Sequence, residues 1–148
     1  MLEIEPVTHS CQLRDVYVKK IIAERLCEEL PDTAPKLGIH TDCDSRLISP
    51  LHGIGLLTIK FEFEEEDSRL FILEFTLAGE FEREDDSDIN NEKFLEFMKI
   101  SCFTLLWPYA RELTSSTLNR MGFPPLNLPT INVPATTKRN LKEEVVKD

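Results

Sequence analysis

The chain has 148 residues, 17 Lys+Arg against 27 Asp+Glu, a net charge of −10 and 41% hydrophobic residues. That length fits one domain, which at about 150 residues buries ~68–70% of the surface its unfolded chain exposes and needs no disulfides to fold. The acidic balance argues against nucleic-acid partners and anionic membrane surfaces, whose phosphates select Lys and Arg.

Cys11, Cys27, Cys43 and Cys102 are scattered, with no CxxC and no zinc-type Cys/His cluster, so free thiols in a reducing compartment are expected. Met1-Leu2-Glu3-Ile4-Glu5-Pro6 carries acids where a signal peptide needs positive charge, and no apolar run reaches 18 residues. A soluble, cytoplasmic protein with no membrane insertion is the expectation.

In chain order, Gln12 to Ile22 is rich in Val, Ile and Tyr and predicts a strand whose two faces both mix apolar and charged residues. Ala23 to Pro35, with Pro31 and Pro35, predicts a crossover or loop, Lys36 to Asp44 a second and weaker strand, and Ser45 to Gly53 another loop. Gly55 to Glu64 alternates Leu57, Ile59, Phe61 and Phe63 with polar neighbours, and Arg69 to Phe81 repeats the period with Phe71, Leu73, Phe75 and Leu77. The pair predicts an antiparallel hairpin whose outer face carries Ile72, Glu74 and Thr76 and is a candidate docking surface.

An acidic connection, Glu82 to Asp88, leads to a helix from about Asn91 to Gly122, capped by Asp88 or Asn90 and broken near Ser101 or before Pro108. Phe94, Leu95, Phe97, Met98, Ile100 and Phe103 cover more than one helical face. A second apolar face on so small a domain predicts burial by another subunit, with Phe94, Phe97, Met98 and Phe103 at the oligomer interface. Phe123 to Pro134, with four prolines, is extended and docks along the body; residues 1–134 then make one domain and 135–148 a mixed-charge mobile tail.

Chemistry is sparse. His9, His40 and His52 fall in no metalloenzyme motif, five glycines leave no room for a phosphate loop, and His40 and Cys43 diverge if their segment is extended. The acids Glu62 and Glu64 to Asp67 lack the Gly-centred spacing of a calcium loop. No catalytic residue, metal or cofactor is expected.

Leu106-Trp107-Pro108-Tyr109-Ala110-Arg111-Glu112-Leu113, followed by Asn119-Arg120-Met121-Gly122-Phe123-Pro124-Pro125-Leu126-Asn127-Leu128, resembles the SecB family of protein-export chaperones, with weaker likeness at Val16 to Lys19 and Phe71 to Glu74. The resemblance implies an α+β fold, a four-stranded antiparallel sheet with two helices packed on one face, assembled as a dimer of dimers. It implies an ATP-independent holdase without catalysis that binds unfolded precursor polypeptides in hydrophobic grooves and passes them to the SecA motor for export. By that likeness Leu26, Leu30, Leu37, Trp107, Phe123, Leu126, Leu128 and Ile131 would line the groove, and Glu24, Ile72 and Glu74 would form the SecA-docking surface. Lys20 stands where the family commonly has an acid, and Asn132-Val133-Pro134-Ala135 replaces its Asn-Phe-Asp-Ala. Such departures would suit a SecB-like chaperone of a toxin-antitoxin system. From the residues alone, the rival is a structural oligomer whose own side chains fill every groove.

Overall fold

The computed structural model describes residues 10–85, 89–126 and 128. Four strands, β1 (Cys11–Arg25), β2 (Leu37–Ser49), β3 (His52–Phe63) and β4 (Phe71–Arg83), form one sheet in the order β1-β4-β3-β2. Every neighbouring pair is antiparallel. The central hairpin is the expected one: Leu57, Ile59, Phe61, Phe71, Leu73, Phe75 and Leu77 are all buried on one face.

The loop expected over Ser45 to Gly53 is corrected. β2 continues through Ser45↔Gly55 and Leu47↔Gly53 to Ser49, leaving only Pro50 and Leu51 to turn the chain. Pro50 cannot donate to a ladder, yet it stands just beyond the strand end, where no such bond is required. β1 likewise runs three residues past Ile22, because β4 offers partners down to Phe71.

The helical part is α1 (Asn91–Ser101), a π-helical segment at Cys102–Leu106, and α2 (Trp107–Arg120), joined without a loop. Asn90 caps α1 by accepting a hydrogen bond from the Lys93 N–H; Asp88, the other expected cap, lies outside the described residues. Pro108 explains the π segment. It lacks the N–H that would bond the Thr104 carbonyl, and its ring clashes with that carbonyl, so the preceding turn widens.

Seven of the buried helical residues form a ladder every four positions, Phe94, Met98, Cys102, Leu106, Ala110, Thr114 and Leu118, with Ser101, Phe103 and Trp107 buried beside it. On a regular α-helix of 3.6 residues per turn, such a ladder drifts by about 40° per step. The wide turn takes up part of that drift and keeps the ladder on the sheet. The sheet meets it with a trough at the cross-strand pair Gly55↔Gly79. A Cβ at Gly55 would stand 2.6 Å from the Cys102 sulfur, and one at Gly79 3.2 Å from Leu106.

Phe94, Met98 and Phe103 are therefore core residues of a single chain, at 0%, 0% and 4% exposure, which corrects their assignment to a subunit interface. The helix lies low enough in the glycine trough for one sheet to cover them. Phe97 is half-buried and packs edge-on against Phe81, ring centroids 6.1 Å apart.

Candidate functional site

The crossover between β1 and β2 rounds the end of the sheet where β3 turns into β4. Its first residue donates the Leu26 N–H to the Leu70 carbonyl at 2.9 Å, and at its far end the Lys36 carbonyl accepts from Glu64 N–H at 3.0 Å. The C-terminus of α2 arrives at the same end. Gly122, with φ +82°, takes the left-handed conformation that lets the chain leave the helix, and Phe123 N–H bonds the Leu118 carbonyl at 3.0 Å.

Phe123 then enters an aromatic cluster. Its ring centroid is 5.1 Å from that of Phe71, which in turn meets Phe63 edge-on at 5.0 Å and Phe61 at 6.1 Å. Such edge contacts add about 0.5–1.5 kcal/mol each beyond area burial.

This geometry divides the eight expected groove residues. Leu26 and Leu30 on the crossover are exposed, at 39% and 44%. Leu37 and Leu126 are half-buried at the rim of the core. Trp107, Phe123 and Leu128 are buried core residues, which corrects the expectation that they face a ligand: the sheet and the aromatic cluster already cover them. Ile131 lies outside the described residues.

The expected docking residues converge. Glu24 pairs directly with Ile72 across β1 and β4, and Glu74, two positions along, lies between Ile22 of β1 and Lys60 of β3. All sit on the sheet face opposite the helix, because their neighbours Leu73 and Phe75 point into the core. Lys60 makes an ion pair with Glu62 at 3.7 Å, and Lys20 is opposite Thr76, so the face alternates in sign.

One apolar group escaped the sequence reading. Tyr17, Val18, Ile21 and Ile22 are exposed along β1, whose other edge pairs with no described strand. The signal was the mixture of apolar and charged residues on both faces of that strand. His40 and Cys43 do diverge: His40 Nε2 reaches Glu62 at 3.4 Å on the open face, whereas Cys43 packs toward Cys102 beneath the helix. That thiol's hydrogen bond with Cys102, followed by burial, pushes Cys43 far above the usual cysteine range. All four cysteines are free. Among the described residues no group of three or more His, Cys, Asp or Glu is placed to hold a metal, and no helix is long and apolar enough to cross a membrane.

Comparison with known proteins agrees with this architecture. The family described as preprotein translocase subunit SecB matches residues 6–144. The protein-export protein SecB of Actinobacillus succinogenes is 33% identical over 138 residues, covering 88% of this chain and 78% of the relative. That of Cereibacter sphaeroides (strain ATCC 17025) is 27% identical over 134 residues, covering 87% and 78%. A third, from Afipia carboxidovorans, is 33% identical over 89 residues, 60% of this chain and about half, 53%, of the relative. Among solved structures, the SecB-like chaperone of Mycobacterium tuberculosis, in complex with a peptide from an antitoxin, superposes with a TM-score of 0.71. It covers 83% of this chain and 91% of that one at 16% identity, a likeness of fold. On the match across residues 6–144, the chain belongs to the SecB family.

Proposed function

We propose that the protein is an ATP-independent holdase that keeps precursor polypeptides unfolded for export. The observation that carries this reading is the exposure of Leu26 and Leu30 on the crossover, beside the half-buried Leu37 and Leu126. Apolar contact is non-directional, so one such surface accepts many extended sequences. The net charge of −10 keeps a protein with exposed apolar surface from associating with itself indiscriminately. No step of this activity calls for a nucleophile, a metal or a cofactor.

We further propose a homo-oligomer, a tetramer built from dimers, in which the open edge of β1 with Tyr17, Val18, Ile21 and Ile22 is covered by a second copy. An unpaired edge with apolar side chains is a template for pairing with another chain. The partner proposed for the sheet face away from the helix, at Glu24, Ile72 and Glu74 beside Ile22, is the SecA motor, and the proposed compartment is the cytoplasm, where free thiols persist. The relatives matched over 138 and 134 residues are named protein-export proteins, and on that likeness export is the reading proposed over guarding an antitoxin.

The test is suppression of aggregation of a chemically unfolded protein, without nucleotide, by the parent and by the Leu26→Ser/Leu30→Ser variant. The parent is expected to suppress aggregation, and the variant to lose most of that effect while keeping its far-ultraviolet circular dichroism. Equal suppression by both would remove the crossover from the binding surface. No suppression by the parent would end the holdase reading.

A further inference from the structure

Arg25, the last residue of β1, reaches two separate stretches of chain at once. Its Nε donates to the Cys27 carbonyl at 2.7 Å and its Nη2 to the Glu28 carbonyl at 3.1 Å, both in the crossover. Its Nη1 donates to the Met121 carbonyl at the end of α2, at 2.8 Å. The guanidinium also lies over the Phe123 ring, 5.1 Å from the centroid.

The Met121 carbonyl belongs to a helix C-terminus, whose partial negative charge strengthens the bond to a cation. A Cβ at Gly122 would come within 2.6 Å of Nη1, so the glycine there makes room for the guanidinium as well as permitting the left-handed turn.

We propose that Arg25 is the positioning residue of the polypeptide-binding groove. It fixes the crossover, which carries Leu26 and Leu30, against the segment after α2, which carries the half-buried Leu126 and is anchored in the core by Phe123. This rests on the holdase reading for its consequence but not for its geometry. One planar fork aims donors at three carbonyls in set directions, which a lysine ammonium, a point charge on a flexible stem, cannot reproduce. Contact with Arg25 thus determines how far apart the two apolar walls stand, while Arg25 itself adds no apolar surface to either.

The same chain supplies a control at the opposite end of the sheet. Arg83 donates from Nε to the Pro50 carbonyl at 2.7 Å, from Nη1 to the Ile89 carbonyl at 2.8 Å and from Nη2 to Asn91 Oδ1 at 2.5 Å, and lies 5.0 Å over the Phe94 ring. Arg83→Lys removes an equivalent fork far from the groove.

The experiment compares the parent, Arg25→Lys, Gly122→Ala and Arg83→Lys by amide hydrogen exchange and by anisotropy titration with a fluorescein-labelled, reduced and carboxymethylated protein. Arg25→Lys and Gly122→Ala are expected to raise exchange in residues 26–36 and 121–126 together, with the centre of β3 and β4 unchanged. They should also weaken polypeptide binding by about tenfold, the size of one charge-assisted hydrogen bond. Arg83→Lys should raise exchange near residues 50–51 and 89–94 and leave binding unchanged.

Exchange that rises in the crossover alone overturns the coupling of the two walls. Binding weakened equally by Arg25→Lys and Arg83→Lys overturns the positioning role, since general loosening then accounts for it. If the parent itself binds no unfolded polypeptide, the holdase reading fails, and joint or separate opening of the two segments still decides whether Arg25 couples them.

Discussion

Replacing Gly55 by alanine tests the account of how the helix seats on the sheet. The new Cβ would lie 2.6 Å from the Cys102 sulfur, 3.1 Å from the Phe81 ring and 3.2 Å from the Met98 carbonyl oxygen. Two of these neighbours are a packed ring and helix backbone, neither of which yields without moving the helix, and overpacking of this kind costs about 1–3 kcal/mol. Removing a glycine also reduces the freedom of the unfolded chain, offsetting about 0.4–1 kcal/mol. A net loss of about 1–2 kcal/mol follows. With a urea dependence of about 2 kcal/mol per molar, that lowers the unfolding midpoint by about 0.5–1 M.

Gly38→Ala is the internal comparison, because its Cβ would meet only the Glu62 carbonyl, at 3.7 Å, an ordinary contact. That variant should be neutral or slightly more stable. Adding Cys102→Ala to Gly55→Ala removes the nearest clash and should restore about 1 kcal/mol in a double-mutant cycle. The assay is urea unfolding by circular dichroism at one fixed protein concentration. Parent-like stability of Gly55→Ala, or equal destabilisation by Gly38→Ala, would refute the seating of the helix in a glycine trough.

Thr114 is completely buried on α2, and its Oγ1 has no hydrogen-bond partner among the described residues, so Thr114→Val should raise stability by about 1 kcal/mol in the same urea assay. Cys27 and Cys43 are both half-buried, but the hydrogen bond with Cys102, followed by burial, holds Cys43 as the neutral thiol. Iodoacetamide at pH 8 should therefore label Cys27 well before Cys43 in the folded protein, as read by peptide mass mapping, and equal labelling would contradict that environment. Glu74→Lys should weaken capture of SecA, more so at low salt because exposed charges are screened within about 8 Å at physiological ionic strength, with stability shifting by only ~0.5 kcal/mol; unchanged recovery at both salts would remove Glu74 from the docking face. Val18→Lys at the open edge of β1 should lower the mass measured by light scattering, whereas Met98, buried in its own chain, sets no such interface.

The central hairpin was legible in the sequence because alternation is a local property: Leu57 to Phe63 and Phe71 to Leu77 declare their dry face without reference to anything else. A cap at Asp88 or Asn90, a break near Ser101 or before Pro108 and the stop at Gly122 were legible for the same reason, each following from one residue's own hydrogen-bonding or backbone chemistry, and the structure selects Asn90 and the turn before Pro108. The motif around Trp107 and Phe123 carried the family, and the family carried the fold class.

What the tertiary structure decided is which apolar residues remain for a partner. Phe94, Met98 and Phe103 looked surplus because face counting assumes a straight helix at ordinary distance from a sheet; the wide turn at 102–106 and the Gly55↔Gly79 trough bury them within one chain. Trp107 and Phe123 match the family motif wherever their side chains point, and only the cluster with Phe71, Phe63 and Phe61 shows that the chain itself covers Phe123. The extension of β2 to Ser49 depends on the ladder partners that Gly53 and Gly55 provide. Exposure along β1 likewise depends on strand order: with β1 at the edge of the sheet, Val18 and Ile21 keep surface that the same residues would lose in a central strand.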